Sequence, residues 1–156
     1  MRLARPQDRE RLMELARSDY THDRFHSDPL TPSALADDVY AVWVENSCLG
    51  TAADAVVVAE WQRQVCAYVT CTLDREAEEH LGLRVGTIVL VGTATAAGGR
   101  GLAQAATRGA LEWFRSQGVE VVEVGTQLRN VPAARFYEGL GFRLAATSIS
   151  LRRWIA

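Results

Sequence analysis

Residues 98–103 read Gly-Gly-Arg-Gly-Leu-Ala and lie between a Val-rich segment and a predicted helix. Glycines let the backbone adopt positive φ and approach a ligand closely. The helix that follows presents unpaired N–H groups and the positive end of its dipole to whatever lies in the turn. This combination is typical of a phosphate site. The alternative is a glycine-rich connection that holds no ligand, since such turns are common between elements.

Two common glycine-turn motifs do not fit these residues. A Rossmann fingerprint needs a third small residue at position 104, which is Gln104, and an acidic residue near the end of the next strand, where Gly125 and Thr126 stand. All 17 basic residues are Arg, and Lys is absent. A Walker P-loop and lysine Schiff-base chemistry are therefore excluded.

The composition is that of one globular domain spanning residues 1–156. Hydrophobic residues make up 48% and charged residues 23% of the chain, and the net charge of -2 gives no indication of nucleic-acid binding. There is no apolar run of the ~18 residues that a membrane span needs, and none near the N-terminus to suggest a signal peptide. Three cysteines without an export signal predict reduced thiols in the cytoplasm.

The N-terminal half predicts two helices and a hairpin. A strand stub at Leu3 and Ala4 precedes a helix from Pro6 to about Arg17, and the next helix has Thr31 as its N-cap and Pro32 at its first position. Apolar residues repeat at helical spacing in that second helix: Leu35, Val39, Val42 and Trp43. Two strands, residues 55–59 and 65–73, read as a hairpin, and residues 74–80 as a loop or one helical turn.

The C-terminal half predicts a strand, a helix and a parallel strand in that order. These are residues 85–91, Leu102 to about Ser116, and 119–126. Asn130 is placed to N-cap a short helix, and residues 144–155 are expected to supply a last strand. The predicted fold class is α/β, a mixed sheet with helices on both faces.

A second motif makes the glycine turn more specific. Residues 130–142 match, at every named position, the pattern Asn-x-x-Ala-x-x-Phe-Tyr-x-x-x-Gly-Phe of the GNAT-superfamily N-acetyltransferases, which this sequence resembles from about residue 55 to residue 142. That family's acetyl-CoA loop reads Arg/Gln-x-x-Gly-x-Gly/Ala. Gly101 and Ala103 fit it, whereas Gly98 replaces the leading Arg or Gln. The resemblance implies a central sheet of six to seven strands and about four helices.

The resemblance implies an acetyl-CoA site and one catalytic residue. The strand that ends at Thr93 is expected to splay from its neighbour and to bind the pantetheine arm through its backbone at Val91 and Thr93. Tyr137 is expected to face the leaving sulfur. The other implied acetyl-CoA contacts are Gly98, Gly99, Arg100, Gly101, Leu102, Ala103 and Asn130.

The acceptor region is read from the polar and aromatic stretch between the first two helices. Asp23 and His26 are the candidate acceptor-binding residues, and a solvated loop is the alternative. His22 and His26 have the spacing of a helical zinc pair, but the residue after His22 is Asp rather than Glu, so no metal is expected. The general base is not identified by the sequence.

The function implied is transfer of an acetyl group from acetyl-CoA to a small primary amine. Short segments near residues 25–29, 42–47 and 125–127 look like the branch that acetylates nucleotide-linked amino sugars, such as the dTDP-fucosamine acetyltransferases. Another amine acceptor, or a non-catalytic CoA-sensing domain, remains the alternative. A short first strand would leave a sheet edge that a second subunit could complete, which makes a homodimer one expectation.

Overall fold

The computed structural model describes residues 1–19, 31–149, 151 and 153. In this part of the chain five strands form one sheet, in the order β1-β2-β3-β4-β5. The first four strands are antiparallel to their neighbours, whereas β4 and β5 are parallel. The strands are β1 (Arg2–Leu3), β2 (Ala55–Trp61), β3 (Gln64–Asp74), β4 (Val85–Thr93) and β5 (Val121–Val124).

Five α-helices and two short 3-10 helices accompany this sheet in the described residues. The α-helices are α1 (Arg9–Asp19), α2 (Ser33–Cys48), α3 (Arg75–Leu81), α4 (Leu102–Ser116) and α5 (Val131–Gly139). The 3-10 helices are Pro6–Asp8 and Thr95–Ala97. The predicted α/β class with a mixed sheet is confirmed.

The helices bury their apolar residues against opposite faces of the sheet. On one face α1 and α2 supply Leu12, Tyr40 and Val44, which pack with Tyr68 and Leu90 of the strands. The other face is covered by α4, whose buried residues recur every four positions and meet the strands in a second cluster; Ala106, Ala110 and Phe114 belong to it with Val57, Val69 and Ile88. This spacing places one stripe of α4 against the sheet.

The hairpin formed by β2 and β3 confirms the prediction and is encoded locally. Val56 to Ala59 and Val65 to Thr70 are buried, as expected of strands covered on both faces. Gln62 and Arg63 connect them with φ of 51° and 66°. Positive φ at two consecutive turn residues gives the connection the twist of the flanking strands.

The predicted strand count and final strand are wrong. The described residues form five strands rather than six to seven, and five α-helices rather than about four. Residues 144–149, 151 and 153, the described part of the predicted last strand, contain no strand. Their alternating apolar residues favour an extended backbone, but a strand also needs a neighbouring edge to accept its hydrogen bonds.

The predicted second helix is present, but only part of its predicted apolar repeat is buried. Leu35 and Val42 are 56% and 51% exposed, whereas Ala36, Tyr40 and Val44 are buried. Two adjacent stripes of this helix are apolar, so periodicity alone does not choose between them. Packing against α1 decides which of the two stripes is buried.

Residues 75–81 form a helix, which is the helical one of the two predicted alternatives and is longer than one turn. The side chain of Asp74 accepts a hydrogen bond from the Ala77 N–H at 2.9 Å, and Gly82 closes the helix at φ 64°. An acidic N-cap and a left-handed glycine are the ordinary signals of a helix start and end. Because the segment is exposed and charged, no apolar periodicity distinguished the helical turn from the loop in the sequence.

Candidate functional site

A cleft of about 390 Å³ opens where the end of β4, the start of α4 and one side of α5 meet. Its wall is largely backbone and small side chains, so a ligand there would contact main-chain atoms directly. The residues that line it are Thr93, Ala97, Gly99, Gly101, Leu102, Ala103, Gln104, Arg135, Phe136 and Gly139.

The glycine turn forms the floor of the cleft, next to the start of α4. Gly99 and Gly101 both have φ of 71°, and a Cβ added at either position would meet no atom within 4 Å. Gly101 is the N-cap of α4 and offers no side-chain cap. The residues of the first turn of this helix line the cleft. Backbone N–H groups at a helix start attract phosphate and carboxylate oxygens.

One wall of the cleft begins where β4 extends beyond the end of β5. The pairs between these parallel strands run from Val85 with Val121 to Ile88 with Val124. Beyond them β4 continues for five residues, of which Val91 to Thr93 pair with β3, and it ends at Thr93 in the cleft. The end of β4 therefore has no β5 residue paired with it, and the expected splay of the two strands stays a prediction.

Five of the predicted acetyl-CoA residues line the cleft, and four do not. Thr93, Gly99, Gly101, Leu102 and Ala103 are in its wall. The other four are placed as follows: Val91 packs against the α4 cluster, Gly98 ends the 3-10 helix, Asn130 caps α5, and Arg100 lies with its guanidinium 5.2 Å from the centre of the Trp61 ring.

Tyr137 lies on α5 next to the cleft but is not among its lining residues. The ring is half-buried, and its centre lies 5.1 Å from that of Phe136 and 5.6 Å from that of Phe142, both edge-on. Burial raises the pKa of Tyr137 to about 12. The hydroxyl is therefore protonated at neutral pH and can donate a hydrogen bond.

Residues that the sequence interpretation missed complete the cleft. Arg135 and Phe136 precede Tyr137 on α5, and Gln104 follows the glycine motif by one residue. Arg135 is exposed and supplies the one positive charge among the lining residues. Its position inside the Asn-to-Phe motif is the signal that could have identified it.

The candidate acceptor residues Asp23 and His26 lie outside the described residues. The described part of the cleft wall contains no acidic residue and no histidine. Glu60 does not line this cleft and accepts hydrogen bonds from Arg2. The described residues thus present no general base at the cleft.

A second cleft of about 530 Å³ lies between the N-terminal segment and the β2–β3 turn. Arg2 lies there between Asp8, at 2.6 Å, and Glu60, while Arg11 pairs with Glu14 at 3.1 Å. The two Arg2 pairs tie β1 to the 3-10 helix Pro6–Asp8 and to β2, whereas the Arg11–Glu14 pair lies within α1. Most of the charges in this cleft are therefore already used by the fold.

The described residues contain no helix with the length and apolar character needed to cross a membrane. They also contain no group of three or more His, Cys, Asp or Glu side chains arranged to hold a metal ion.

Comparison with known proteins gives one family. The sequence profile of the acetyltransferase (GNAT) family matches residues 9–142. SpsD of Bacillus subtilis, a spore coat polysaccharide biosynthesis protein, is 31% identical over 137 residues, which are 88% of this chain and 44% of SpsD. A mycothiol acetyltransferase of Corynebacterium kroppenstedtii is 37% identical over 70 residues, 45% of this chain and 19% of that protein. The chain spans less than half the length of these curated relatives.

A solved structure shares the fold at low sequence identity. The aminoglycoside N-acetyltransferase AAC(6')-Iy in complex with CoA superimposes with a TM-score of 0.70 at 16% identity, over 97% of this chain and 92% of the other. At that identity the likeness concerns the fold.

Proposed function

The chain belongs to the acetyltransferase (GNAT) family, and on that basis we propose that it transfers the acetyl group of acetyl-CoA to the primary amine of a small acceptor. One observation carries the proposal. The glycine turn, the first turn of α4 and the end of β4 line a single cleft. That cleft offers a diphosphate group the helix N-terminus and offers the pantetheine arm a strand edge.

Backbone amides at the start of α4 would hold the diphosphate, with help from one arginine. At position 98 this chain has Gly, so it lacks the Arg or Gln side chain that begins the family's loop. Arg135 lies across the cleft from the glycine turn and restores a positive charge. A guanidinium can donate two parallel hydrogen bonds to a phosphate, which suits this role.

The reaction needs a held thioester and a hydrogen bond to the departing sulfur. The amine nitrogen attacks the thioester carbonyl carbon, the C–S bond breaks, and the amine loses a proton to solvent or to the thiolate. The pKa of about 12 for Tyr137 lies well above the ~8.5 of a thiol. Tyr137 therefore stabilises the developing thiolate by a hydrogen bond rather than by giving up its proton.

The preferred acceptor is a nucleotide-linked amino sugar. The support is the sequence likeness in short segments and the relationship to SpsD, whose name places it in polysaccharide biosynthesis. The relationship to mycothiol acetyltransferases favours a different amine. An amino acid, a polyamine, an antibiotic or a protein N-terminus would be recognised by the same chemistry.

A thiol-release assay with acetyl-CoA and a panel of amines tests the proposal. Turnover with a nucleotide-linked amino sugar, and none with the free sugar, supports the preferred acceptor. Turnover with another amine keeps the reaction and replaces the acceptor. CoA binding without turnover would identify a CoA-sensing domain, and absence of both would refute the assignment.

The first prediction concerns the floor of the cleft. Gly101→Val fills the open space at φ 71° and should raise the Kd for acetyl-CoA at least about 10-fold, because a side chain then stands where phosphate must approach. Titration calorimetry measures this.

Gly50→Val is the matched control for that prediction. Gly50 has φ of 76°, also meets no atom within 4 Å, and follows α2 away from the cleft. It carries the same backbone strain, so it should lose stability to a similar degree but keep acetyl-CoA affinity. Equal affinity in both variants would mean that the glycine turn does not hold the phosphates.

A further inference from the structure

A β-bulge interrupts β4 where its pairing with β5 ends. Val69 of β3 lies opposite Val91, but Cys71 lies opposite Ile88. Three residues of β3, Val69 to Cys71, therefore lie opposite four of β4, and the single Thr70 faces both Val89 and Leu90. The last β4–β5 pair is Ile88 with Val124, directly before the bulge.

The bulge reverses the faces of the rest of β4. Ile88 packs in the α4 cluster, whereas Val89 and Leu90 both pack in the α1–α2 cluster. Val91 is again on the α4 side, and Thr93 lines the cleft at the start of α4. With unbroken two-residue alternation, Leu90 would join Ile88, and Val91 and Thr93 would face α1 and α2 instead.

The Thr70 hydroxyl satisfies the backbone group that the bulge displaces. Its Oγ1 accepts a hydrogen bond from the Leu90 N–H at 2.9 Å. Thr70 is completely buried, so water cannot replace this acceptor. A buried N–H that loses its partner is costly, and a bulge whose N–H is unsatisfied competes poorly with other registers.

We infer that Thr70 is a positioning residue for acetyl-CoA: its hydroxyl holds the β4 bulge that turns Thr93 toward the cleft and Val91 toward α4. The inference rests on the proposed function, because it concerns the orientation of the strand that binds the substrate. The Thr70 side chain faces α1 and α2, because its neighbours Val69 and Cys71 pack on the α4 side of the sheet. Thr70 does not line the cleft. Its effect passes through the backbone of Leu90.

Two substitutions at Thr70 separate the hydroxyl from the side chain's volume. Thr70→Val keeps the shape and removes the acceptor, whereas Thr70→Ser keeps the acceptor and removes a methyl group. We expect Thr70→Val to speed hydrogen exchange of the Leu90 amide at least about 10-fold and to lower kcat/KM for acetyl-CoA by a similar factor. Thr70→Ser should stay within about 3-fold of wild type in both.

A stability control shows whether any loss is general. Val58→Ala trims a fully buried residue of β2 that lies opposite Tyr68, outside the cleft and the bulge. At equal loss of thermal stability it should keep the wild-type kcat/KM and leave Leu90 exchange no faster than that of its neighbours.

The outcomes distinguish this inference from the proposed function. Suppose that the wild type turns over an amine. The positioning role is then wrong if Thr70→Val speeds exchange of the Leu90 amide but keeps the wild-type kcat/KM, or if Thr70→Ser is as impaired as Thr70→Val. In both cases the enzyme assignment stands. If wild type neither binds nor consumes acetyl-CoA, the proposed function is wrong and this inference falls with it.

Discussion

At the scale of the residue, the role proposed for Tyr137 depends on a hydroxyl that keeps its proton. Its ring packs between Phe136 and Phe142, and the hydrogen bonds seen among the described residues do not include its hydroxyl. The raised pKa keeps this hydroxyl neutral through the whole range in which enzymes are ordinarily assayed. A neutral donor beside a departing thiolate can stabilise charge without titrating itself.

Tyr137→Phe should therefore lower kcat and leave acetyl-CoA binding almost unchanged. We expect a fall of about 10-fold to 100-fold in kcat, because one hydrogen bond to the developing thiolate is lost. Steady-state kinetics and a binding titration measure the two quantities separately. The pH profile of wild type should show no decline caused by this hydroxyl below about pH 10, since its pKa is about 12.

The ring contacts provide the control for that experiment. Phe keeps both edge-on contacts, so thermal stability should change little. If kcat is unaltered, Tyr137 has only a packing role and the departing thiolate is stabilised by another group. If Kd for acetyl-CoA changes as much as kcat, the residue acts in binding rather than in the chemical step.

At the scale of the element, α5 depends on its N-cap. The Asn130 side chain accepts a hydrogen bond from the Ala133 N–H at 3.2 Å, and Pro132 stands in the first turn. This helix carries Arg135 and Phe136 into the cleft and Tyr137 beside it. Loss of the cap would therefore disturb three proposed site residues at once.

Asn130→Ala should destabilise the protein by about 1 kcal/mol, since it removes that acceptor. Asn130→Ser should restore most of the stability, because a hydroxyl oxygen also caps. Asn130 does not line the cleft, so we expect Ser to restore KM for acetyl-CoA as well. Denaturant unfolding and steady-state kinetics are the two measurements. Restored stability with an unrestored KM would show that the amide also contacts the substrate.

At the scale of the whole molecule, the buried core makes stability sensitive to alkaline pH. Cys71 is completely buried in the α4 cluster, and burial raises its pKa from 9.0 to about 12. The unfolded chain releases this proton near pH 9, but the folded protein retains it. The stabilisation is thus fully present below pH 9 and is lost as pH rises toward 12.

We predict that the free energy of unfolding falls between about pH 8 and pH 10 and that Cys71→Val reduces the fall by about 1 kcal/mol. Denaturant titrations at both pH values under reducing conditions measure it. Ile88→Val alters the strand residue paired with Cys71 and adds no titratable group, so it should keep the wild-type pH dependence. An equal fall in wild type and Cys71→Val would assign the alkaline loss to other groups.

The features that the sequence determined by itself are local. The glycine turn before α4, the Asn130 cap, the β2–β3 hairpin and the strand–helix–parallel strand order were all predicted and are all present. Each is encoded by a few contiguous residues whose φ preferences or capping groups act within one turn of chain. The family resemblance rests on two of these segments.

The tertiary structure alone decided which faces and edges meet. It chose the Ala36 stripe of α2 over the Leu35 stripe, left residues 144–149 without a strand, and brought Arg135 into the wall of the cleft. It also placed a bulge of β4 opposite Thr70, and this bulge determines which face of the sheet Thr93 is on. Packing and register depend on partners far away in the chain, and alternation along one strand carries no record of a residue inserted relative to its neighbour.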